Sequence, residues 1–479
     1  MTNKNKVFWL EHNNNQLLEW QQKIDSVSNS NTFCVLPWIH FATRPNGDMR
    51  LCCSANASDP IGDQTIGIIK DSNGVPANFA NQTPFSAWNT DYMKNVRTTM
   101  INGEIPKSCY RCFKEEAKGF SSKRVWETNY WISEGIDVPE LINQTSSDGT
   151  VPEKFVYLDL RLGNTCNLKC VMCSPHDSSK WTVENQKMYP LYQDETLKKY
   201  LFFEPKEFNN NWHENPNFWK DLYSQIPNIQ QLYFAGGEPL AIKEHKLFLE
   251  EIVRQGYSDK ILVRYNTNGL LIDDDIIELW SHFKKVKVGF SLDGTEDRNW
   301  YIRYPSDWNI VEKNLRILDE TKDNIEISLV PALQIFNIKH FPDFVKWKVN
   351  SKFKKINLSK AAPGMFGDNI GEYGGGIFNF HILHIPPWLG PKVLPHDDKL
   401  EVMERFKELK SWLYENYRQD DQFWTINPYA WPRYEALLEL MNSEDHSHLL
   451  PSFKEYVHRL DNLRKLDSKK IFPELAHLL

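Results

Sequence analysis

Apolar and polar positions in the middle of the chain alternate in blocks that indicate strands followed by helices. Apolar runs of strand length are separated by segments with an apolar residue at every third or fourth position, the period of a buried helix face. The strand candidates are residues 154–162, 229–237, 260–269, 285–294, 324–333 and 354–361. Strands alternating with helices are typical of βαβ units and a parallel sheet. Because six units are too few for a closed eight-unit barrel, the pattern predicts an α/β fold with a partial barrel.

The periodicity becomes helical towards the C-terminus. Two sets of apolar residues follow helical spacing there: Leu400, Met403, Phe406, Leu409 and Leu413, and then Phe453, Val457, Leu460 and Leu463. We interpret both sets as core-facing stripes. The sequence therefore predicts a C-terminal, mainly helical extension.

Changes in composition along the chain predict five segments. A polar, Asn-rich arm comes first, then a block containing five of the eight cysteines, and then a linker rich in turn-forming residues. The strand–helix region and the helical extension follow. The predicted bounds are 1–30, 31–120, 121–152, 153–375 and 376–479.

Charge and hydropathy narrow the class of protein. The net charge of -7 argues against a general nucleic-acid binder, which would carry a basic excess. The N-terminus has no apolar core of signal-peptide length, and no run approaches the ~18 apolar residues that span a bilayer. We therefore expect a cytoplasmic protein without a membrane or nucleic-acid partner. Thiols stay reduced in that compartment, so clustered cysteines indicate metal or redox chemistry rather than disulfides.

Three cysteines directly follow the first predicted strand. Cys166, Cys170 and Cys173 have the spacing C-x3-C-x2-C and lie where ligands bind in α/β folds, at the carboxyl ends of the strands. A structural zinc site normally takes four protein ligands. Three thiolates can instead hold three irons of a [4Fe–4S] cluster and leave the fourth open to a substrate or cofactor. A zinc site is the alternative interpretation.

With these motifs the chain resembles the radical S-adenosylmethionine (SAM) superfamily. The resemblance covers about residues 155–335 and includes "YFAGGEPLA", "YNTNG" and "FSLDG" at the ends of the second, third and fourth predicted strands. It implies a partial (β/α)6 TIM-like barrel, a SAM-binding [4Fe–4S] cluster on the three cysteines, and S-adenosyl-L-methionine as cofactor. It further implies reductive cleavage of SAM to a 5′-deoxyadenosyl radical, which abstracts hydrogen from a substrate.

The resemblance also assigns residues to the SAM site. They are Met172 as an apolar contact for adenine, Gly236 and Gly237 for close backbone approach, Glu238 as acceptor for the SAM ammonium, and Ser291 and Asp293 for the ribose hydroxyls or the carboxylate. Each has an ordinary alternative. Glu238 alone is compatible with a carboxylate at a helix start, and Asp293 with a simple turn.

The N-terminal cysteine block resembles the auxiliary cluster modules called SPASM and Twitch. The shared features are a C-x2-PW motif at Cys34, a glycine five residues before Cys52, a helix bearing Trp88, and a C-x2-C pair. The resemblance implies a second, auxiliary [4Fe–4S] cluster on Cys34, Cys52, Cys109 and Cys112. "NGD" before "MRLCC" predicts a hairpin turn, and either Cys52 or Cys53 is the ligand, with the spacing favouring Cys52. Such modules usually follow the barrel, whereas this block precedes it, and a four-cysteine zinc knuckle is the alternative.

These features predict a radical SAM enzyme acting on a peptide or protein side chain, with an electron donor such as flavodoxin or ferredoxin. A radical SAM enzyme acting on a nucleoside, sugar or other small metabolite is the first alternative. A non-catalytic, zinc-stabilised binding protein is the second, because a fold does not fix a substrate or an activity.

Overall fold

The computed structural model describes residues 31–55, 66–117, 122–203, 211–356, 378, 380–417 and 430–479. The predicted arm 1–30 lies outside these ranges, as does most of the predicted strand 354–361. The described residues fold into two compact units. Unit 1 takes those within Met1–Gly163, Asn209–Gly236 and Leu247–Leu262, and unit 2 takes those within Asn164–Phe208, Gly237–Lys246 and Val263–Leu479. The five predicted segment bounds stay a prediction.

Unit 1 contains four strands in the order β2-β1-β3-β4. They are β1 (His40–Thr43), β2 (Met49–Arg50), β3 (Tyr157–Arg161) and β4 (Gln231–Ala235). Strands β1 and β2 form an antiparallel hairpin, which confirms the predicted turn. Gly47 in this turn has φ +87°, and a Cβ there would lie 2.8 Å from the Trp212 ring. Only glycine suits such a position.

The parallel pairing of β1 with β3 was not predicted. His40 lies opposite Tyr157 in this ladder, and Tyr157 lies opposite Gln231 in the next. The β3 and β4 segments are almost wholly buried, which explains their apolar runs. A strand of the cysteine block therefore lies directly beside the strand that leads to Cys166.

The helices of unit 1 are α1 (Leu36–Ile39), α2 (Pro84–Trp88), α3 (Asp91–Ile101), α4 (Tyr110–Ala117), α5 (Lys123–Ser133), α6 (Val138–Asn143) and α9 (Pro216–Gln225). Several begin at a residue whose side chain accepts from the first turn, including Thr83 before α2 and Ser122 before α5. Aromatic rings fill the core between them. Phe155 is in edge contact with Phe41 and with Trp88.

Unit 2 contains the parallel strands β5 (Leu262–Thr267, whose first residue belongs to unit 1), β6 (Lys285–Phe290) and β7 (Ile325–Leu329), in the order β5-β6-β7. Val286 lies opposite Ile325 in the β6–β7 ladder. A second, two-stranded sheet pairs β8 (Ala332–Leu333) with β9 (His381–Ile382). Strands β3 to β7 lie within the first five predicted strand segments, and the predicted α/β class with a mostly parallel sheet is confirmed.

The helices of unit 2 are α7 (Trp181–Met188), α8 (Glu195–Leu201), α11 (Asp274–Trp280), α12 (Glu296–Ile302), α13 (Trp308–Asp319), α14 (Phe341–Asn350), α15 (His396–Tyr417), α16 (Ala430–Asn442), α17 (Leu450–Arg464) and α18 (Ser468–Ile471). Helix α10 (Lys243–Arg254) contributes residues to both units. None of the described helices is both long enough and apolar enough to cross a bilayer.

The two C-terminal stripes are only partly core. Phe406, Leu409 and Leu413 are buried as predicted, but Leu400 and Met403 are 48% and 43% exposed, so their assignment to the core was wrong. Val402 is buried in that first part of α15 instead. On α17, Phe453, Val457 and Leu460 are buried and Leu463 is half-buried. Phe453 packs on Phe336, which in turn contacts Tyr301 and Phe472.

Candidate functional site

The three-cysteine loop begins immediately after β3, at the first residues of unit 2. Cys170 is buried, whereas Cys166 and Cys173 are half-buried. The Cys173 thiol donates to Cys170, which lowers the pKa of Cys170 and raises that of Cys173. Burial raises the pKa of Cys166 to about 12, against a backbone N–H bond from Leu168 at 3.4 Å. Deprotonation of Cys166 and Cys173 therefore needs a compensating positive charge.

Side chains on neighbouring segments fix the loop backbone. The Ser178 hydroxyl donates to the Leu168 carbonyl at 2.6 Å, and the Trp181 indole donates to the Cys170 carbonyl at 2.9 Å. On the other side, the Lys169 and Val171 amides donate to the carbonyls of Tyr304 and Ile302, at 2.6 and 2.8 Å. These bonds set the loop conformation before any cofactor binds.

Helix α17 also holds the loop, and sequence reasoning missed this. The Tyr456 hydroxyl donates to the Val171 carbonyl at 2.7 Å across 285 residues of sequence. Arg464 Nη2 donates to the Lys169 carbonyl at 2.8 Å and to Glu184, also at 2.8 Å. These contacts join segments that are far apart in the sequence, so the apolar spacing on α17 did not predict them.

The two predicted glycines are positions of close backbone approach. Gly236 has φ +114°, and a Cβ there would lie 3.2 Å from the Gly163 carbonyl oxygen. At Gly237 a Cβ would lie 2.3 Å from the Thr165 carbonyl oxygen, well inside contact distance. The Glu238 amide donates to that same carbonyl at 2.8 Å. The glycine at 237 therefore lets this segment dock on the residue before Cys166.

Glu238 is 1% exposed and tightly held. Its carboxylate accepts from the Thr267 hydroxyl at 2.8 Å, from the Asn268 amide at 2.8 Å and from the Leu240 amide at 3.2 Å. Burial raises its pKa to about 7, although these bonds oppose the rise. A carboxylate has about four lone-pair sites, so it retains acceptor capacity for a cation. Thr267 and Asn268 belong to the "YNTNG" motif, which thereby orients this carboxylate.

Asp293 is buried and has partners within the chain. Its Oδ1 accepts from the Ala332 amide at 2.6 Å, and its Oδ2 lies 2.8 Å from Arg303 Nε in an ion pair without hydrogen-bond alignment. Burial raises its pKa, and Arg303 opposes this. Arg303 also lowers the pKa of Cys170, as a weaker cause than the Cys173 bond. Sequence reasoning did not identify this Asp293–Arg303 pair, which brings a guanidinium towards the thiols.

The remaining predicted SAM contacts are half-buried. The Ser291 backbone amide donates to the Thr267 carbonyl, and the Ser291 hydroxyl has no hydrogen-bond partner among the described residues. Met172 lies between Cys170 and Cys173 in sequence and is also half-buried. Both side chains retain exposed surface that a ligand can cover.

The predicted auxiliary cysteines gather in unit 1. Cys34, Cys52, Cys109 and Cys112 all line one cavity of about 400 Å³ of atom-free volume, solvent at its mouth included. Cys53 is not among the lining residues. In the described part of the chain, no three Cys, His, Asp or Glu side chains are arranged to hold a single metal ion. The four thiols border a shared space rather than converging on one point.

The cavity that these four thiols line is bordered by apolar residues, by Ser54 and Ser108, and by the first residues of α5. Burial raises the pKa of Cys52 to about 12 and that of Cys34 well above its usual range. Burial also raises the pKa of Cys112, but the Arg124 backbone N–H interacts with this thiol and opposes the rise. The Arg124 N–H in the first turn of α5 is thus near the Cys112 thiol, an arrangement that favours anionic sulfur.

Comparison with known protein families gives a match to one part of the chain. The model of the radical SAM superfamily matches residues 160–347. This segment runs from the end of β3 through α14 and contains every residue predicted for the SAM site and its cluster. A search of curated proteins finds no match.

Solved structures give weaker likenesses. SuiB of Streptococcus suis bound to precursor peptide SuiA is 17% identical, with a TM-score of 0.24, 40% of this chain covered and 36% of that chain. The structure of native anSMEcpe with bound AdoMet is 20% identical, with a TM-score of 0.29, 53% of this chain covered and 60% of that one. TYW1 with a lysine–pyruvate adduct is 13% identical, with a TM-score of 0.25; the match covers 54% of this chain and 71% of that chain. This chain thus spans less than two thirds of the first two.

Proposed function

From the match of residues 160–347 to the radical SAM superfamily model, we propose that the chain is an enzyme that binds a [4Fe–4S] cluster at Cys166, Cys170 and Cys173 together with SAM. When bound, these groups supply a 5′-deoxyadenosyl radical, formed by reductive cleavage of SAM, that abstracts hydrogen from the substrate. One observation carries the proposal: two predicted or neighbouring groups meet the cysteine loop. The GGE segment reaches it through the hydrogen bond from the Glu238 amide to the Thr165 carbonyl, and Arg303 acts on Cys170.

The donor set fits these groups. Three thiols are held on one braced loop, which leaves one cluster position for SAM. Glu238 is proposed to accept from the SAM ammonium, a partner that would offset its burial and lower its pKa. The Ser291 hydroxyl would donate to a ribose or carboxylate oxygen, and Met172 would cover the adenine. Asp293 is proposed to act through Arg303 or at the rim of the site, because its carboxylate already has partners.

We further propose an auxiliary [4Fe–4S] cluster on Cys34, Cys52, Cys109 and Cys112. The cavity that the four thiols line supports this set, and the position of Cys53 outside the lining supports Cys52 as the ligand. Such a cluster has no open iron, so its role would be to relay electrons or to shape the substrate pocket. A zinc ion is the alternative occupant.

The proposed substrate is a peptide or protein side chain, and the support for it is the resemblance of the cysteine block to modules of peptide-modifying enzymes. A nucleoside, sugar or other small metabolite is the alternative substrate. A reduced flavodoxin or ferredoxin is proposed as the electron donor, and we expect a cytoplasmic location.

The test is anaerobic purification followed by iron, sulfide and zinc analysis. We expect about eight irons per chain from two cubes, and 5′-deoxyadenosine when dithionite and SAM are added. Replacing Cys166, Cys170 and Cys173 by Ala is expected to abolish deoxyadenosine formation and leave about half the iron. Cys52→Ala is expected to remove the other half, whereas the matched Cys53→Ala retains all of it. A colourless chain with stoichiometric zinc would instead support a non-catalytic, zinc-stabilised binding protein.

A further inference from the structure

Two buried cations lie at the N-terminal end of α5, near the auxiliary cysteines. Lys123 and Arg124 are the first two residues of this helix and are 6% and 7% exposed. Both line the cavity that Cys34, Cys52, Cys109 and Cys112 share. Burying a charge without a partner is very costly, so both positions need a counter-charge.

The chain supplies each cation with one carboxylate. Lys123 Nζ lies 2.6 Å from Glu127 Oε1 one turn further along α5, and the Trp131 indole donates to the other oxygen of that carboxylate at 3.1 Å. Arg124 is paired with Glu116 and donates to the Phe33 carbonyl at 3.0 Å. Neither carboxylate lines the cavity. At each pair, therefore, the cation is the member that lines the cavity.

The two cations differ in the shape of their charged groups. The Arg124 guanidinium is divided between both oxygens of Glu116 and the carbonyls of Asn31 and Phe33. The Lys123 ammonium is a compact point charge on a residue that lines the cavity together with Cys52. A compact charge in the lining of a largely buried cavity interacts strongly with any charge added there.

We propose that Lys123 sets the reduction potential of the auxiliary centre. The inference rests on the proposed function, because it requires an iron–sulfur cluster on the four auxiliary cysteines. The step concerned is [4Fe–4S]²⁺ plus one electron giving [4Fe–4S]⁺, with the electron supplied by the reductant and no bond broken. The Lys123 ammonium stabilises the added negative charge, and Glu127 opposes it from outside the cavity. Lys123 is thus a positioning residue for charge, not a ligand.

The experiment uses the full chain with Cys166, Cys170 and Cys173 replaced by Ala, so that one cluster remains. Its midpoint potential is measured by dye-mediated titration followed by electron paramagnetic resonance. Lys123→Met is expected to lower the reduction equilibrium constant at least tenfold, which corresponds to about 59 mV for one electron. Glu127→Gln is expected to shift the potential upward, because it removes the opposing charge and keeps the side-chain shape. Lys107→Met, an exposed lysine two residues before Cys109, is the matched control and should not shift the potential.

Shifts of opposite sign in Lys123→Met and Glu127→Gln support the inference, since a purely structural role predicts no such sign pattern. Unchanged potentials in both variants, with iron retained, overturn it and leave the proposed cluster intact. If Lys123→Met does not retain iron, two other variants test the inference. Glu127→Gln must then shift the potential upward, and the charge-preserving Lys123→Arg must keep a near-normal potential. A parent chain that binds no iron would refute the auxiliary cluster itself, a result distinct from a failed shift.

Discussion

Arg464 is the strongest candidate for a residue that braces the three-cysteine loop from a distance. It is the last residue of α17, and its side chain is 1% exposed. Its guanidinium binds the Lys169 carbonyl and Glu184, and lies over the rings of Trp181 and Tyr304 at 4.8 and 4.6 Å. Lys169 Nζ reaches the same carboxylate at 2.5 Å. Arg464→Met removes the charge and keeps much of the apolar stem.

The structure sets the magnitude of the effect. Removing one member of a buried ion pair costs roughly 3–5 kcal/mol, because the other charge stays buried. Here Lys169 remains to pair with Glu184, so the lower end, about 3 kcal/mol, is expected. Since each 1.4 kcal/mol corresponds to a tenfold change, local opening of the loop should become about a hundredfold more frequent. The loop amides of Lys169 and Val171 are hydrogen-bonded and report this opening.

Native-state hydrogen exchange of the metal-free chain, read on peptides covering residues 164–179, is the assay. Arg459→Met is the matched control: it lies on the same helix, is 30% exposed and is 3.5 Å from Glu455, so it should cost less than about 1 kcal/mol. If the Arg464 variant exchanges within a few-fold of the wild type in this loop, or no faster than the control, the bracing role is refuted.

Three further outcomes test the same reasoning. Tyr456→Phe should remove about 1 kcal/mol of loop protection in that exchange assay, because the Val171 carbonyl loses its buried donor. Gly237→Ala should destabilise unit 2 by roughly 1–3 kcal/mol in urea unfolding and reduce iron binding, because its Cβ overlaps the Thr165 carbonyl oxygen; an unchanged urea midpoint would argue against it. Burial lowers the pKa of His245 from 6.5 to about 3, so the folded chain keeps this ring neutral while the unfolded chain protonates it. The contribution of the neutral His245 ring to the free energy of unfolding is therefore complete above pH 6.5. Below that pH it falls by up to about 1.4 kcal/mol per pH unit, and His245→Gln should flatten that part of the stability–pH curve.

Local patterns account for what the sequence predicted well. The buried runs of β3 to β7 and the cysteine spacing are properties of short segments, so they are legible without tertiary information. The order of the GGE, NTN and SLDG motifs then places Glu238, Asn268 and Asp293 after successive strands of the chain. The hairpin at Gly47 followed from the same kind of local signal.

What the sequence did not predict depends on distant partners. The pairing of β1 with β3 joins a four-residue strand to a segment more than a hundred positions later, and so short a strand has no visible period. On α15 the apolar stripe at helical spacing is wide enough to allow two orientations of the helix. In the orientation that its neighbours stabilise, Val402 is buried, and Leu400 and Met403 are exposed. Asp293 was predicted as a ligand contact, while its pairing with Arg303 depends on how the following helix ends.

The two cysteine sites share one electrostatic arrangement. Thiolates in a buried site repel one another and are poorly solvated, so burial raises thiol pKa values in both units. In each unit a buried cation lies near the thiols and is paired with a carboxylate: Arg303 with Asp293, and Lys123 with Glu127. The carboxylate lets the metal-free chain fold without an unpaired buried charge, and the cation lowers the cost of deprotonating the thiols when metal binds. Because binding of the proposed clusters must release the thiol protons, their assembly should strengthen as pH rises, and removing either cation should move that dependence to higher pH.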